Sequence, residues 1–268
     1  MTLLSKFDLP EGRGEFSNGF DVTGNAWSAY SSAVIALTGP SHRDGWRLKL
    51  SGYYSSYGYD TRDNTVCRKI HDVGHTDPNE TLSRICNEIA GKTPEAIPQA
   101  THDFLASNGL AIEGDQIVAI TAHRGEKYFG GAAPGYQATL GALILKTYLG
   151  LGYEQQDVTP SDASKSLQGS YWGAQGWIEA WLPLGPDGWI SADGSYFTGT
   201  SSYSAAMKLG YRPVDWLTLG PELAAYGDRD DASGRAGGFL RFDVKGVETT
   251  IAGAFPALIR TMPALTGP

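Results

Sequence analysis

The sequence predicts an all-β protein, an antiparallel up-and-down transmembrane β-barrel of about 10–12 strands with a long loop insertion that carries short helices. Its 268 residues include 35 Gly, 14 Tyr and 7 Trp but only 3 Met, which indicates tight turns and aromatic surfaces instead of a helical bundle. Segments with a period of two recur at intervals typical of meandering strands. Aromatic residues lie near the ends of these segments, as at the two interfaces of a bilayer.

The clearest alternation is in "GWRLKLSGYYSSYGYD", residues 45–60. Apolar side chains at 46, 48 and 50 alternate with Arg47 and Lys49, so one face of the strand is apolar and the other is cationic. This pattern fits a half-buried soluble sheet, and it fits equally a barrel strand between lipid and a polar lumen.

The predicted elements follow in chain order. Residues 1–18 are expected to be a loose lead-in, 19–255 a single β-barrel domain, and 256–268 a tail or an irregular last strand. The predicted strands lie near 28–38, 46–60, 134–144, 147–157, 169–182, 188–199, 203–212, 216–226, 235–243 and 247–255, with a further short strand within 16–25. A short turn is expected around Lys146.

Residues 61–133 form the predicted insertion. Proline at the first helical position and a terminating glycine predict two short helices, in "TDPNETLSRICNEIAG" and in "TPEAIPQATHDFLASNG". Residues 115–130 predict a hairpin arm, and "GGAAPG" at 130–135 predicts a loop hinge.

Two aromatic belts distinguish the membrane barrel from a soluble sheet, because a soluble sheet would bury its aromatic residues in mid-strand. One belt should flank the short turns and the other the longer loops. The predicted members are Trp46, Tyr54, Tyr57, Tyr171, Trp172, Trp181, Trp189, Tyr211 and Trp216.

Charge limits the partners. The sequence has 21 basic and 29 acidic residues, a net charge of −8, without a basic cluster, which argues against nucleic acid. No apolar run approaches the roughly 20 residues of a spanning helix. No signal peptide is visible, so an outer-membrane location assumes that the numbering is that of the mature chain.

The residues predicted to face the lumen have mixed charges. Two interpretations are open: these residues form a ladder of ion pairs that rigidifies the wall, or they contact a neutral glycan. A barrel of this size encloses too little space for a cellulose chain to pass. The candidates are Arg47, Lys49, Glu154, Glu179, Asp193, Lys208, Arg212, Glu222 and Arg241.

Other chemistry is less well supported. Cys67 and Cys86 are expected to form a disulfide, and a zinc site with His71 and His75 is the alternative that we do not favour. No metal or other cofactor is expected. Facing carboxylates such as Glu179 and Asp193 could serve glycoside hydrolysis, but no nucleophile elbow is present, so the chain is not expected to be an enzyme.

Several segments resemble the cellulose biosynthesis protein BcsS family. They are "DGWRLKLSGYYSSYGYD", "GYQATLGALILKTYLGLGYEQQDVTPSD", "WGAQGWIEAWLPLGPDGWISADGSY", "YSAAMKLGYRP" and "LTLGPELAAYG". The resemblance covers about residues 20–255, rests on glycine, aromatic and turn positions, and supplies no catalytic residues. It implies an outer-membrane β-barrel that accompanies bacterial cellulose synthase.

The expected function is therefore that of a non-catalytic outer-membrane accessory of cellulose or exopolysaccharide secretion. Its expected partners are outer-membrane lipid, other secretion subunits and cellulose or another neutral glycan. A soluble or surface glycan-binding β-protein is the alternative, and an outer-membrane lipid or glycan hydrolase is the third possibility.

Overall fold

The computed structural model describes residues 2–8, 13–67, 80–114, 116–163, 165–230, 232–244 and 247–257. These residues separate into two compact units. Unit 1 comprises 1–57, 125–158 and 162–268, and unit 2 comprises 58–124 and 159–161. Among the described residues, no helix is both long enough and apolar enough to span a membrane.

Antiparallel strands account for most of the described chain. The elements in order are β1 (Thr2–Asp8), β2 (Gly14–Thr23), β3 (Ala26–Ala36), β4 (Gly45–Asp63), α1 (Glu80–Ile89), a 3-10 helix (Pro94–Ala96), α2 (Gln99–Ser107), β5 (Leu110–Glu113), β6 (Gln116–Leu140), β7 (Leu143–Thr159), β8 (Gly169–Pro183), β9 (Gly188–Phe197), β10 (Ser202–Val214), β11 (Leu217–Gly227), β12 (Ala232–Val244) and β13 (Val247–Ala257). The predicted all-β class is confirmed.

The strands of unit 1 form a closed ring. The sheet order is β4-β3-β2-β1-β13-β12-β11-β10-β9-β8-β7-β6-β5, and β4 also pairs with β6. This last pairing joins the two sides of the sheet, so twelve of the thirteen described strands form an antiparallel barrel and β5 pairs beside β6. Closure leaves no free strand edge in the ring. The predicted range of strand number includes this value.

Part of the predicted lead-in is in fact a strand of the ring. Within the predicted lead-in 1–18, β1 pairs with β13, from Thr2 opposite Ala252 to Phe7 opposite Val247, and β2 begins at Gly14. The residues around β1 are rich in glycine and charge and do not indicate a strand. The strand forms because β1 pairs with β13, which is distant in the sequence. Of the predicted tail 256–268, residues 258–268 lie outside the described residues.

Each strand reverses direction, so the connections fall into two sets. We call the end of the ring that holds the start of β1 and the end of β13 the terminal end. Connections after β2, β4, β7, β9 and β11 lie at this end. Connections after β1, β3, β6, β8, β10 and β12 lie at the opposite end, which we call the turn end.

The boundary of the insertion differs from the prediction. The segment "GGAAPG" lies within the continuous strand β6 and is not a hinge, and the following turn is at 141–142, where Gly141 has φ +65°, instead of around Lys146. Gly131 and Gly135 provide space inside the ring: a Cβ at Gly131 would lie 2.2 Å from the Gln175 amide, and one at Gly135 would lie 2.3 Å from the Tyr148 ring. These glycines thus serve packing, not a turn.

Unit 2 has its own apolar core. Its buried residues are Ile85, Cys86, Ile89, Ile97, Leu105 and Ile117. The two predicted helices are present, although the second prediction divides into the 3-10 helix and α2 because Pro98 separates them. The strands β5 and β6 pair from Leu110 opposite Ala119 to Glu113 opposite Gln116.

Two covalent or polar links hold unit 2 together. The predicted disulfide between Cys67 and Cys86 is present, with Cα atoms 5.7 Å apart. The His123 ring contacts the Thr61 hydroxyl at 2.8 Å and the Pro160 carbonyl at 2.8 Å, and it stacks on Tyr59. His71 and His75 of the zinc alternative lie outside the described residues.

Candidate functional site

The strand β4 shows which face of the barrel wall points inward. Trp46 and Leu50 are 55 % and 40 % exposed, whereas Arg47 is only 1 % exposed. Lys49 also points inward, where it is ion-paired with Glu179 of β8. The alternation in 45–60 therefore has its apolar face outside and its cationic face inside, as the barrel interpretation predicts.

Arg47 holds a loop and does not line an open lumen. Its guanidinium donates hydrogen bonds to the carbonyls of Thr38 at 3.3 Å, Pro40 at 3.2 Å and Ser41 at 3.2 Å, and it contacts the Arg43 carbonyl. All four carbonyls belong to the turn-end connection 37–44. Its assignment as a glycan contact is wrong, because the side chain is buried and its donors are occupied.

The middle of the interior contains a cationic side chain between aromatic rings. The Lys49 ammonium, besides its pair with Glu179, lies 5.3 Å from the ring centroids of both Tyr148 and Trp177. Cation–π contacts of this kind stabilise an ammonium group more strongly when it is shielded from water. Asp193 of β9 stands opposite Glu179 in the β8–β9 register.

A second cluster centres on Glu222, which is 4 % exposed. Its carboxylate lies 3.3 Å from the Lys208 ammonium and 2.9 Å from the Arg235 guanidinium. Arg235 also pairs with Asp21 of β2 at 3.0 Å. A buried carboxylate with two cationic partners is well compensated, so this cluster ties β10, β11, β12 and β2 together.

Towards the terminal end, Glu154 forms the third cluster. It is 1 % exposed, accepts a hydrogen bond from the Tyr53 hydroxyl at 2.7 Å and lies 3.5 Å from the Lys127 ammonium. Lys127 also pairs with Asp228 at 3.0 Å. The Tyr53 ring stacks on Phe129, which makes an edge contact with Phe197.

At the turn end, the Trp181 and Trp189 rings stack with centroids 4.2 Å apart. The Arg241 guanidinium lies 5.8 Å and 5.6 Å from these rings and is paired with Glu248. Trp181 and Trp189 are therefore interior residues, and their assignment to an outer aromatic belt is wrong. Both lie on the same strand face as interior charges, Glu179 in β8 and Asp193 in β9.

Two further belt assignments are wrong. Tyr57 points inward: a Cβ at Gly125 would lie 2.2 Å from its ring, and its hydroxyl accepts a hydrogen bond from Gln156 at 2.7 Å. Tyr171 bonds the loop before β8, since its hydroxyl donates to the Gln168 carbonyl at 2.9 Å and accepts from the Gln168 amide at 3.0 Å.

The remaining belt residues are on the outer face. Trp172 is 75 % exposed, and Trp46, Tyr211 and Trp216 are each more than half exposed. Tyr54 packs between Trp27 and Tyr128 at the terminal end. Sequence reading missed further exposed aromatic residues on the outer face, such as Tyr136, which contacts Trp46. Tyr136 lies in the predicted strand 134–144, none of whose residues is among the predicted belt members.

Ion pairs cross the interior between strands that are not neighbours in the ring. Lys49 of β4 meets Glu179 of β8, Lys146 of β7 lies 3.3 Å from Glu15 of β2, and Lys127 of β6 meets the residue after β11. Gln175, 1 % exposed, fills the space beside Gly131 and Gly152 and donates to the Leu151 carbonyl. Ion pairs thus cross-link the described interior, which suits a rigid wall and not a wide channel.

Arg212 and Asp193 complete the predicted set. Arg212 is half-buried near the turn end, where its backbone amide donates to the Asp187 carbonyl at 2.7 Å. Asp193 is exposed. Within the described parts of the chain, histidine, cysteine and carboxylate side chains do not form a group of three or more that could hold a metal ion.

Comparison with known proteins gives one family match. The family described as "Cellulose biosynthesis protein BcsS" matches residues 107–256, more than half of the chain. No curated protein matches the sequence significantly. The matched region begins in α2, includes every strand from β5 to β12 and reaches into β13. The chain belongs to the cellulose biosynthesis protein BcsS family.

Proposed function

We propose that the chain is an outer-membrane β-barrel that serves cellulose biosynthesis as a non-catalytic accessory of the secretion machinery. Membership of the family supports a role in cellulose biosynthesis. The membrane location is supported by the outer face of the ring, and the absence of catalysis by the way its carboxylates are engaged.

The outer face of β7 is the observation that carries the membrane proposal. Its outward positions are leucine at 143, 145, 149 and 151, Thr147 and then Tyr153, followed by Gln155 and Asp157. Leu149 and Leu151 are 70 % and 68 % exposed. At ~3.3 Å per residue and a tilt near 45°, the segment 143–153 rises roughly 23 Å, close to the ~25 Å of an apolar membrane band.

Tyr153 marks the boundary of this band. Its ring packs against Trp172, with centroids 5.0 Å apart, and its hydroxyl donates to the Gln155 side chain at 3.0 Å. An apolar ring body with a wet hydroxyl is typical of an aromatic residue at a membrane interface. A soluble protein rarely exposes an apolar surface of this extent.

The interior supports a role without catalysis. A glycoside hydrolase needs two carboxyl groups that face a substrate. Glu179 and Asp193 are in register, but Glu179 is ion-paired with Lys49, and Glu154 and Glu222 also have cationic partners. We therefore propose that these carboxylates stabilise the wall, and that a neutral glycan or other secretion subunits contact the connections at the ends of the ring.

A refolding and complementation experiment tests the proposal. The chain should fractionate with the outer membrane, and the detergent-folded protein should migrate faster than the boiled protein on a gel. Solubility without detergent would favour the glycan-binding alternative.

Catalysis is tested separately in cells that lack the gene. Glu179→Gln and Asp193→Asn should restore cellulose production as well as the wild-type chain does, provided that the heat-dependent gel shift shows folded protein. Loss of cellulose production by both folded variants would favour the hydrolase alternative.

A further inference from the structure

The middle of the outer face is polar on two neighbouring strands. Asn18 lies at the centre of β2 and Ser31 at the centre of β3, and the two residues are opposite each other in the β2–β3 register. Near the centres of β7 and β11, by contrast, the outward side chains are the exposed leucines Leu151 and Leu223. The β2–β3 part of the outer face therefore differs in polarity from these other strands.

Alternation shows that both polar side chains point away from the interior. Glu15 of β2 pairs with Lys146 across the interior, so Asn18, three positions further along the strand, is on the outward face. Ser31 shares this face, because residues paired directly across neighbouring strands point to the same side. Among the described residues, neither the Asn18 amide nor the Ser31 hydroxyl has a hydrogen-bond partner. Where lipid excludes water, both groups are costly until a partner from outside the ring satisfies them.

A depression in the barrel wall lies at the same place. Its volume is about 320 Å³, and its lining includes Asn18, Ser31 and Gly52, which follow one another in register across β2, β3 and β4. The exposed rings of Phe20 and Trp27 stand beside it, with centroids 5.7 Å apart. A two-fold interface brings the same patch of both copies together, so a hollow next to a ridge can be self-complementary, because the ridge of each copy meets the hollow of the other.

The positions of the two polar residues also fit a second copy of the chain. Two barrels inserted in the same direction are related by a two-fold axis along the membrane normal, which leaves every residue at its own depth. Such an axis can bring β2 of one copy opposite β3 of the other. At ~4.8 Å between strands and a tilt near 45°, Asn18 and Ser31 differ in depth by roughly 3 Å, within reach of an asparagine side chain. An amide and a hydroxyl are each donor and acceptor, so they satisfy each other twice.

We propose that the barrel forms a two-fold dimer in the membrane through the outer face of β2 and β3, in which Asn18 of each copy hydrogen-bonds to Ser31 of the other. The dimer rests on the proposed outer-membrane location, because water would satisfy both groups if this face were in solution. Lipid tails offer no hydrogen bonds, so polar groups that meet across the interface hold the two copies together.

Cysteine cross-linking in outer membranes tests the dimer. Cys67 and Cys86 are joined to each other, so an introduced cysteine is the free thiol of its chain. Two copies with different tags, one Asn18→Cys and the other Ser31→Cys, are expressed together and oxidised. We expect a product of twice the mass of one copy that contains both tags. The control pair carries the cysteine at the exposed outward positions of Leu149 and Met207, and should give no such product.

A second measurement does not depend on the cysteine variants. In mild detergent, light scattering should give the wild type the mass of two copies and the double variant Asn18→Leu with Ser31→Ala half of that mass, while the heat-dependent gel shift persists. Leu149→Ala is the matched control and should remain dimeric. A monomeric wild type, or a double variant that stays dimeric, would overturn the proposed dimer.

The outcomes separate the dimer from the proposed location. A wild-type chain that does not fractionate with the outer membrane would count against the location. In folded chains that do fractionate there, three results would overturn the dimer alone: no cross-link between positions 18 and 31, equal cross-linking in the control pair, or a cross-link from these positions to a different protein.

Discussion

Leu149 offers the sharpest test of the membrane-facing surface, because a charge at this position should cost a membrane barrel much more stability than it costs a soluble protein. The side chain is 70 % exposed and lies near the middle of the apolar segment 143–153 of β7. In a soluble protein, Leu149→Arg at an exposed strand position should change the free energy of unfolding by about 0.5 kcal/mol or less. In a bilayer, arginine near the midplane should cost ~2–4 kcal/mol.

Asp157→Arg is the matched control. Asp157 is exposed on the same outward face of β7, beyond Tyr153 and Gln155. The two positions are eight residues apart, so at ~3.3 Å per residue and a tilt near 45° they differ by roughly 19 Å in depth. Arginine at 157 should therefore lie in the polar region and cost ~0–1 kcal/mol.

The assay is equilibrium unfolding by guanidinium chloride of protein folded into lipid vesicles, with both variants and the wild type measured together. The midpoint denaturant concentration should fall clearly for Leu149→Arg and little for Asp157→Arg. The slope of the unfolding free energy against denaturant concentration should be the same for both variants and the wild type. Free energies for the two variants within about 0.5 kcal/mol of each other would refute the assignment of this face to lipid.

Three further predictions concern the interior and the insertion. Arg47→Met should lower stability by about 2–4 kcal/mol, because several carbonyls of 37–44 lose a charged donor, and limited proteolysis should then cut this loop. Glu222→Gln should destabilise the protein by about 3–5 kcal/mol in denaturant unfolding, because it removes the charge that compensates two cations. Glu248→Gln is the control and should cost less, because the ion pair of Glu248 is more exposed. Equal costs for the two variants would contradict the central role of Glu222. Cys86→Ser should destabilise unit 2 by about 3 kcal/mol, seen as faster proteolysis within 80–113 while the heat-dependent gel shift persists; unchanged proteolysis would show that the disulfide is dispensable.

Side-chain alternation is the part of the fold that sequence could predict. Because successive side chains of a strand point to opposite faces, the pattern around Arg47 and Lys49 determines the phase of β4 once the strand is recognised. The same rule assigns Trp181 to the face of Glu179, although its position beside a turn led to its assignment to a belt. Where the two criteria disagree, alternation is the more reliable guide, since position along the strand leaves the direction of a side chain open.

Partners that are distant in the chain could not be predicted in this way. Lys127 and Asp228 are 101 residues apart, and each lies in a segment that reads locally as a link or an arm. The pairing of β1 with β13 is similarly invisible, because nothing near Leu3 indicates a strand partner around Ile251. Glycines are ambiguous for a related reason: Gly131 reads as a hinge until Gln175 is seen to occupy the space above it.

The pairing of β1 with β13 also has a consequence for folding kinetics. Thr2 and Ala252 are partners at almost the maximum sequence separation that the chain allows, so the barrel cannot close before its last strand has left the ribosome. Contacts of such high contact order slow folding, because the entropy of closing the loop is lost before the contact forms. The start of β1 and the end of β13, which are neighbours in the ring, also suit circular permutation. A permutant that joins them through a short linker and opens between Gly141 and Ala142 keeps every strand pairing, and makes the β6–β7 pairing the last step of closure.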